Sequence, residues 1–241
     1  MMRQLPTATA AILDRLGGNL VVSCQAPPNH PLAGANMIAA LCRCAAEGGA
    51  AGVRVNGVEG VRTGLANTEL PVIGLYKEWR KGRLLSGGRP AITPTVKDAV
   101  ALAAAGAHVV AFEATRELHG DRLEQHIEAV RHAVNVPLLA DVSTLEEGVV
   151  AYRSGADLVG TTLSGYTSDS REQVGPDLAL VAELTKAGVP TVAEGRIGSP
   201  DEAVAALRAG AFFVVVGAAI TDARALTALF ASGIAEGKAQ R

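Results

Sequence analysis

The stretch Gly188-Val189-Pro190-Thr191-Val192-Ala193-Glu194-Gly195-Arg196 is a short apolar run, opened by a proline and closed by an acid and a glycine. Proline is tolerated at the first residue of a strand. Thr191, Val192 and Ala193 are too few for a helix and enough for a buried strand. Glu194 then stands where the strand ends. Packing gives no reason for an acid at that place, and chemistry does.

The device recurs outward in both directions. Leu70-Pro71-Val72-Ile73-Gly74-Leu75-Tyr76-Lys77 ends in a lysine, and Val136-Pro137-Leu138-Leu139-Ala140-Asp141 ends in an aspartate. Four other runs follow Gly–Ala turns: 51–55, 107–112 before Glu113, 156–160 before Thr161-Thr162, and 212–216 before Gly217. Residues 19–24 form the leading run. Helical patterns alternate with these strands, over 36–47, from 58, up to 105, and over 121–134, 176–186 and 199–208, with a last one beginning at Thr221. Ser143 or Thr144, followed by Glu146 and Glu147, caps the helix after Asp141. Pro200 takes a first-turn position in the helix after Ser199.

Eight strand–helix units in strict alternation result, and proline-opened strands alternate with strands that follow Gly–Ala turns. Alternate strands of a (β/α)8 barrel supply alternate layers of its interior. The pattern predicts one (β/α)8 TIM-barrel domain over residues 1–241, with a short helix within 1–16. A doubly wound sheet would carry a glycine-rich dinucleotide fingerprint after its first strand, and Ser23-Cys24-Gln25-Ala26-Pro27-Pro28 has none.

Composition narrows the function. The 241 residues are 49% hydrophobic, carry a formal charge of −2 and only 3% aromatics. No basic block marks a nucleic-acid or anionic-membrane partner, and base-stacking platforms are not expected. No run approaches a membrane span, and the first 16 residues read as a helix rather than a signal peptide. Cys24, Cys42 and Cys44 have no disulfide or metal spacing and read as small buried hydrophobes in a reducing cytoplasm. His108, His119, His126 and His132 lack ligand spacing and are expected at surface or loop positions.

The C-terminal ends of barrel strands form the working face. In order, those ends read Gln25, Arg54, Lys77, Glu113, Asp141, Thr161, Glu194 and Gly217. Five of them are charged. A lysine, an arginine and several carboxylates without a His–Cys cluster suit proton transfer beside a carbonyl, or Schiff-base chemistry. Gly195 and Gly217, each followed by a helix start, suit a phosphate cradle. Tyr166 and Trp79 sit near the mouth, and each could wall the site or simply pack.

Ser23-Cys24-Gln25, Ile92-Thr93-Pro94-Thr95, the run 140–148, the run 160–167 and Ala193-Glu194-Gly195-Arg196 together resemble the N-acylglucosamine-6-phosphate 2-epimerases, the N-acetylmannosamine-6-phosphate 2-epimerases of sialic acid catabolism. The resemblance covers nearly the whole chain from Gly18. It implies a TIM barrel, no metal or organic cofactor, a homodimer, and interconversion of N-acetylmannosamine 6-phosphate with N-acetylglucosamine 6-phosphate. It places the family's catalytic lysine on Lys77 and its catalytic glutamate on Glu194. Its substrate-binding Gln, Arg and Asp fall on Gln25, Arg54 and Asp141; the strand ends add Thr161 and Arg196 as expected substrate contacts and Gly195, Gly217 and Ala218 as the expected phosphate cradle. Where the family carries Gly-Gly-Ala-Ile-Thr-Arg-Pro, this chain reads Gly217-Ala218-Ala219-Ile220-Thr221-Asp222-Ala223. Asp222 thus replaces a cation near the expected phosphate. Arg196, Arg224 or the basic loop 79–89 could supply charge in its place. Two other functions fit the same strand ends: an aldolase-type lyase with Lys77 as Schiff base, and a non-catalytic sugar-phosphate-binding barrel.

Overall fold

A computed structural model describes residues 7–79 and 84–239. Helix α1 (Thr7–Leu16) leads into β1 (Leu20–Ser23), α2 (Ala35–Glu47), β2 (Gly52–Asn56), α3 (Gly57–Asn67) and β3 (Val72–Leu75). Two very short strands, β4 (Lys77–Glu78) and β5 (Ala91–Ile92), precede α4 (Val96–Ala104). Then come β6 (Val109–Glu113), α5 (Arg116–His119), α6 (Leu123–Ala133), β7 (Leu138–Asp141), α7 (Leu145–Arg153) and β8 (Leu158–Gly160). The chain finishes with α8 (Leu178–Lys186), β9 (Thr191–Glu194), α9 (Pro200–Arg208), β10 (Phe213–Val216), α10 (Ala218–Thr221) and α11 (Ala223–Ala239).

Strands β1, β2, β3, β6, β7, β8, β9 and β10 pair in parallel in that order, and β10 closes on β1 with Leu20 opposite Val214. The expected TIM barrel is therefore present. Strand residues alternate between two faces. Val21, Ile73, Leu75, Val109, Ala111, Leu139, Leu158, Val192, Phe213 and Val215 form one buried cluster inside the barrel. Leu13 and Leu16 of α1 join that cluster. The intervening residues, such as Val53, Val55, Val110, Leu138 and Ala140, form a second cluster with the surrounding helices.

Helices α4, α5, α7, α8 and α9 each start on a side-chain cap. Thr144, not Ser143, is the N-cap of α7, and Glu147 returns a bond to its backbone in a capping box. Ser143 instead donates its hydroxyl to Glu147, at 2.7 Å. Pro200 opens α9 behind the Ser199 cap, as the sequence indicates.

Four expectations are corrected. The barrel strand before Lys77 stops at Leu75, and Lys77 lies in a separate antiparallel pair with Ile92. The last helix starts at Ala223, because Thr221 ends the short α10. Cys24 and Cys42 are buried, but Cys44 is exposed. His119 and His126 are half-buried helix residues rather than surface or loop groups, whereas His108 lies in the turn before β6, as expected. His119 and His126 stack with ring centroids 3.9 Å apart, and His108 Nδ1 accepts the Val72 N–H at 3.0 Å.

Candidate active site

The alternation that fills the barrel also aims the site. Val192 points inward, so Glu194, two residues on, points inward at the mouth. The same step takes Leu139 to Asp141, Ala111 to Glu113 and Val21 to Ser23. On β2 the outward pair Val53 and Val55 leaves Arg54 facing the interior. An arginine inside a barrel must find counter-charges there, since an unpaired buried charge is very costly.

Arg54 has none of its surface exposed, and neither has Asp141. Its two terminal nitrogens donate separately, Nη1 to Glu194 and Nη2 to Asp141. The other Asp141 oxygen accepts Thr162 Oγ1 at 2.6 Å. Gly160 makes room for this last bond: a Cβ there would stand 2.9 Å from Thr162 Oγ1 and 3.1 Å from Asp141 Oδ1. Thr161 braces the acid from behind, donating Oγ1 to the Glu194 carbonyl at 3.1 Å and accepting the Glu194 N–H at 3.2 Å.

A cavity of about 460 Å³ opens above this network. Lys77, Glu194, Gln25, Gly195, Arg196, Gly217 and Ala218 all line it. Arg54, Asp141 and Thr161 do not line it; they form the layer beneath, where they fix Glu194. Glu113 also stays out of the cavity, because its carboxylate is occupied by Arg89, Ile92 and Thr115.

Lys77 reaches the cavity from the β4–β5 ribbon. Its backbone N–H donates to Asn56 Oδ1 at 2.8 Å. Its amine is held well below the ordinary 10.5, at about 8. Burial is the main cause; the nearby Arg54 cation adds to it, and Asp141 opposes it. At neutral pH about a tenth of such a lysine is neutral, and that fraction can accept a proton.

Gln25 donates to Ser23 Oγ at 2.8 Å, while its buried Oε1 has no partner among the described residues. Arg196 adopts a left-handed φ of +56°, a conformation that a non-glycine residue holds only under constraint. Its guanidinium donates to the Gly175 and Ser164 carbonyls at 2.9 and 2.8 Å and lies over the Tyr166 ring at 4.8 Å. It thus staples the loop after β8 to the cavity wall.

Asp222 lines the cavity next to the Gly217–Ala218 turn. It accepts the Ala225 N–H at 2.9 Å and so caps α11, and it stands 3.4 Å from His30 Nε2. The Ala225 N–H is the main reason that its carboxyl titrates below the usual range, with His30 and Arg224 assisting. Of the basic loop 79–89, Arg80, Lys81 and Arg83 lie outside the described residues. Sequence reasoning missed Thr162, Ser23 and Arg89 as cavity-lining residues. Thr162 and Ser23 carried a signal, being strand-end neighbours of residues already singled out. Among the described residues no group of three or more His, Cys, Asp or Glu is arranged to hold a metal ion.

Residues 38–236 match the family model NanE, "Putative N-acetylmannosamine-6-phosphate epimerase". A "Putative N-acetylmannosamine-6-phosphate 2-epimerase" of Caldanaerobacter subterraneus subsp. tengcongensis is 40% identical over 229 residues, covering 93% of this chain and 94% of the relative. One of the same name from Cutibacterium acnes is 38% identical, covering 92% and 96%. The solved N-acetylmannosamine-6-phosphate 2-epimerase of Clostridium perfringens superposes with a TM-score of 0.82 at 37% identity, over 92% of this chain and 95% of that one. Several other barrels, including a "putative deoxyribose-phosphate aldolase" of Coccidioides immitis at 18% identity, share the fold alone. A family match over most of the chain, with relatives near 40% identity along nearly their whole length, establishes that the chain belongs to the N-acetylmannosamine-6-phosphate epimerase family.

Proposed function

We propose that this chain, acting as one barrel domain, interconverts N-acetylmannosamine 6-phosphate and N-acetylglucosamine 6-phosphate by moving a proton at C2 of the open-chain sugar. The observation that carries the proposal is the pairing of Lys77, with its amine at about 8, and Glu194 on one cavity. Ring opening exposes the C1 aldehyde and acidifies the C2 proton. A base removes it, an enolate forms, and a proton returns to the opposite face. Lys77 is the C2 acid–base group. Glu194 assists ring opening or serves the other face.

Arg54 supplies positive charge close to the developing enolate oxygen, and it acts from beneath the cavity together with Asp141. Gln25, on the cavity wall, holds hydroxyl or acetamido groups. Thr161 and Arg196 hold Glu194 and the loop wall. The backbone at Gly195, Gly217 and Ala218 receives the phosphate; these residues follow adjacent strands, β9 and β10.

The same reading makes the enzyme a cytoplasmic homodimer. Helix α11 supports the dimer: Leu229, Phe230 and Ile234 are 69%, 71% and 60% exposed. A row of large apolar side chains on one helix calls for cover by a second copy. No described helix is long and apolar enough to cross a membrane.

Proton NMR in D2O with N-acetylmannosamine 6-phosphate tests the reaction. Formation of the gluco epimer with deuterium at C2 is the expected outcome. Absence of both conversion and exchange, with the phosphorylated and the free sugar, refutes it. Borohydride treatment in the presence of substrate should leave Lys77 unmodified, which separates this mechanism from a Schiff-base lyase.

A further inference from the structure

The proposed acid–base lysine does not stand on a barrel strand. It belongs to the two-residue β4, whose one strand partner is the equally short β5, with Lys77 opposite Ile92. Such a ribbon has almost no stability of its own. Its position therefore depends on what anchors it to the barrel.

Beside the bond from the Lys77 N–H to Asn56, an anchor reaches the ribbon from β6. The Glu113 carboxylate, none of it exposed, accepts four bonds. Arg89, two residues before β5, donates Nη1 at 3.0 Å to one oxygen and Nη2 at 2.8 Å to the other. The Ile92 N–H adds 3.1 Å and Thr115 Oγ1 adds 2.6 Å. Arg89 Nη2 also meets Glu117 at 2.7 Å, and its Nε donates to the Tyr166 carbonyl at 3.2 Å. Thr93 ties the same ribbon again, donating to the Ala111 carbonyl at 2.7 Å and accepting the Tyr76 N–H at 2.9 Å. The strand end that carries Glu113 is thus bonded to the residue directly opposite Lys77.

We propose that Glu113, through Arg89 and Ile92, is a positioning residue that holds the β4–β5 ribbon against the mouth and so fixes Lys77 for proton transfer. The proposal rests on the reading of Lys77 given above. A bidentate arginine–carboxylate pair gives a defined geometry as well as energy. Removing it frees the ribbon to swing outward and lets water reach the amine. Arg54 from β2 and Asp141 from β7 act on the Lys77 amine by charge, and Glu194 from β9 lines the same cavity. None of the three touches Glu113, so the clamp acts on Lys77 by position.

The test compares Glu113→Gln and Arg89→Lys with Lys77→Ala, all as full-length chains whose fold is checked by circular dichroism. The direct readout is the pKa of Lys77, taken from the pH dependence of its labelling by trinitrobenzenesulfonate and quantified by mass spectrometry of its peptide. This readout needs no activity. In Glu113→Gln the midpoint should move up from about 8 towards 10.5. Its kcat should fall by roughly 10- to 100-fold, the cost of about an ångström of misplacement, with a smaller change in KM. Arg89→Lys, which keeps the charge but loses the fork, should fall between Glu113→Gln and the parent. A Glu113→Gln or Arg89→Lys protein with the parent's Lys77 midpoint and kcat overturns the proposal. Full activity in Lys77→Ala instead overturns the reading of the lysine, which is a separate outcome. A melting-point loss without a shift in the midpoint would assign Glu113 to stability alone and also overturn the proposal.

Discussion

Replacing Lys77 by methionine should abolish activity and make the protein more stable at neutral pH. The structure sets the size of the effect. The amine titrates at about 8 in the folded chain, against 10.5 ordinarily. The unfolded chain therefore holds more proton between these values, and stability of the parent rises with pH through that window. Below pH 8 the folded protein carries the full cost of a charged, enclosed ammonium. A fall of about 2.5 in pKa corresponds to about 3 kcal/mol at 1.36 kcal/mol each. The substitution removes this cost. Its benefit should be about 3 kcal/mol at pH 7, about 2 at pH 9 and under 1 at pH 10. Differences in size and hydrophobicity between the two side chains add a constant and leave the slope untouched. Denaturant melts of both proteins at several pH values from 6 to 10 measure it. A stability difference that stays flat across that range would refute the account of Lys77 as an enclosed amine held below its ordinary value. Loss of function with gain of stability is the expected signature of a side chain kept for chemistry.

Three further outcomes follow from particular contacts. Arg54→Met leaves Glu194 and Asp141 without their shared cation, and should cost about 3–5 kcal/mol in denaturant melts as well as activity. In Gly74→Ala the new methyl would lie 2.8 Å from Val61 Cγ2 and 3.0 Å from Ala107 Cβ; about 1–3 kcal/mol should be lost by the same measurement. Asp222→Asn keeps an acceptor for the α11 cap but removes an anion beside the proposed phosphate cradle, so KM for the phosphorylated sugar should fall roughly threefold to tenfold, with the melting temperature little changed.

The strands and their order could be read from the sequence because each carries its own punctuation. Proline opens β3, β7 and β9, and a polar residue at or just beyond the end of nearly every strand marks the mouth. Which strand-end side chains line the cavity was a different matter. Asp141 ends β7 as clearly as Glu194 ends β9. Arg54, expected at a strand end, lies two residues inside β2, which runs on to Asn56. Arg54 and Asp141 close on each other below the surface. That outcome depends on pairing across the barrel, between residues 87 apart in sequence. The β4–β5 ribbon was invisible for another reason. Two-residue strands have no periodicity to detect, so Lys77 read as the end of β3. The family departure at Asp222 stood out as a lost cation. The structure adds what the sequence could not, that Asp222 also caps the next helix and faces His30.

The site sets the charge of Lys77 by opposing influences. Burial does most to drive the amine towards neutrality, the Arg54 cation adds to it, and the Asp141 carboxylate opposes both. Because Arg54 shares its two terminal nitrogens between Asp141 and Glu194, the buried group carries one cation against two carboxylates. Buried ion pairs of this kind add little net stability, so stability is a weak reason to keep three charged residues under the cavity. Their placement beneath a lysine poised near neutrality is a stronger one. An epimerase must both remove and return a proton at the same carbon. A base that titrates near the working pH does this with the least penalty in either direction. Hence removing the Arg54 cation in a variant that spares the fold, such as Arg54→Gln, should move the pH profile of kcat upward, because the repulsion that lowers the Lys77 amine is lost; an unmoved profile would refute this.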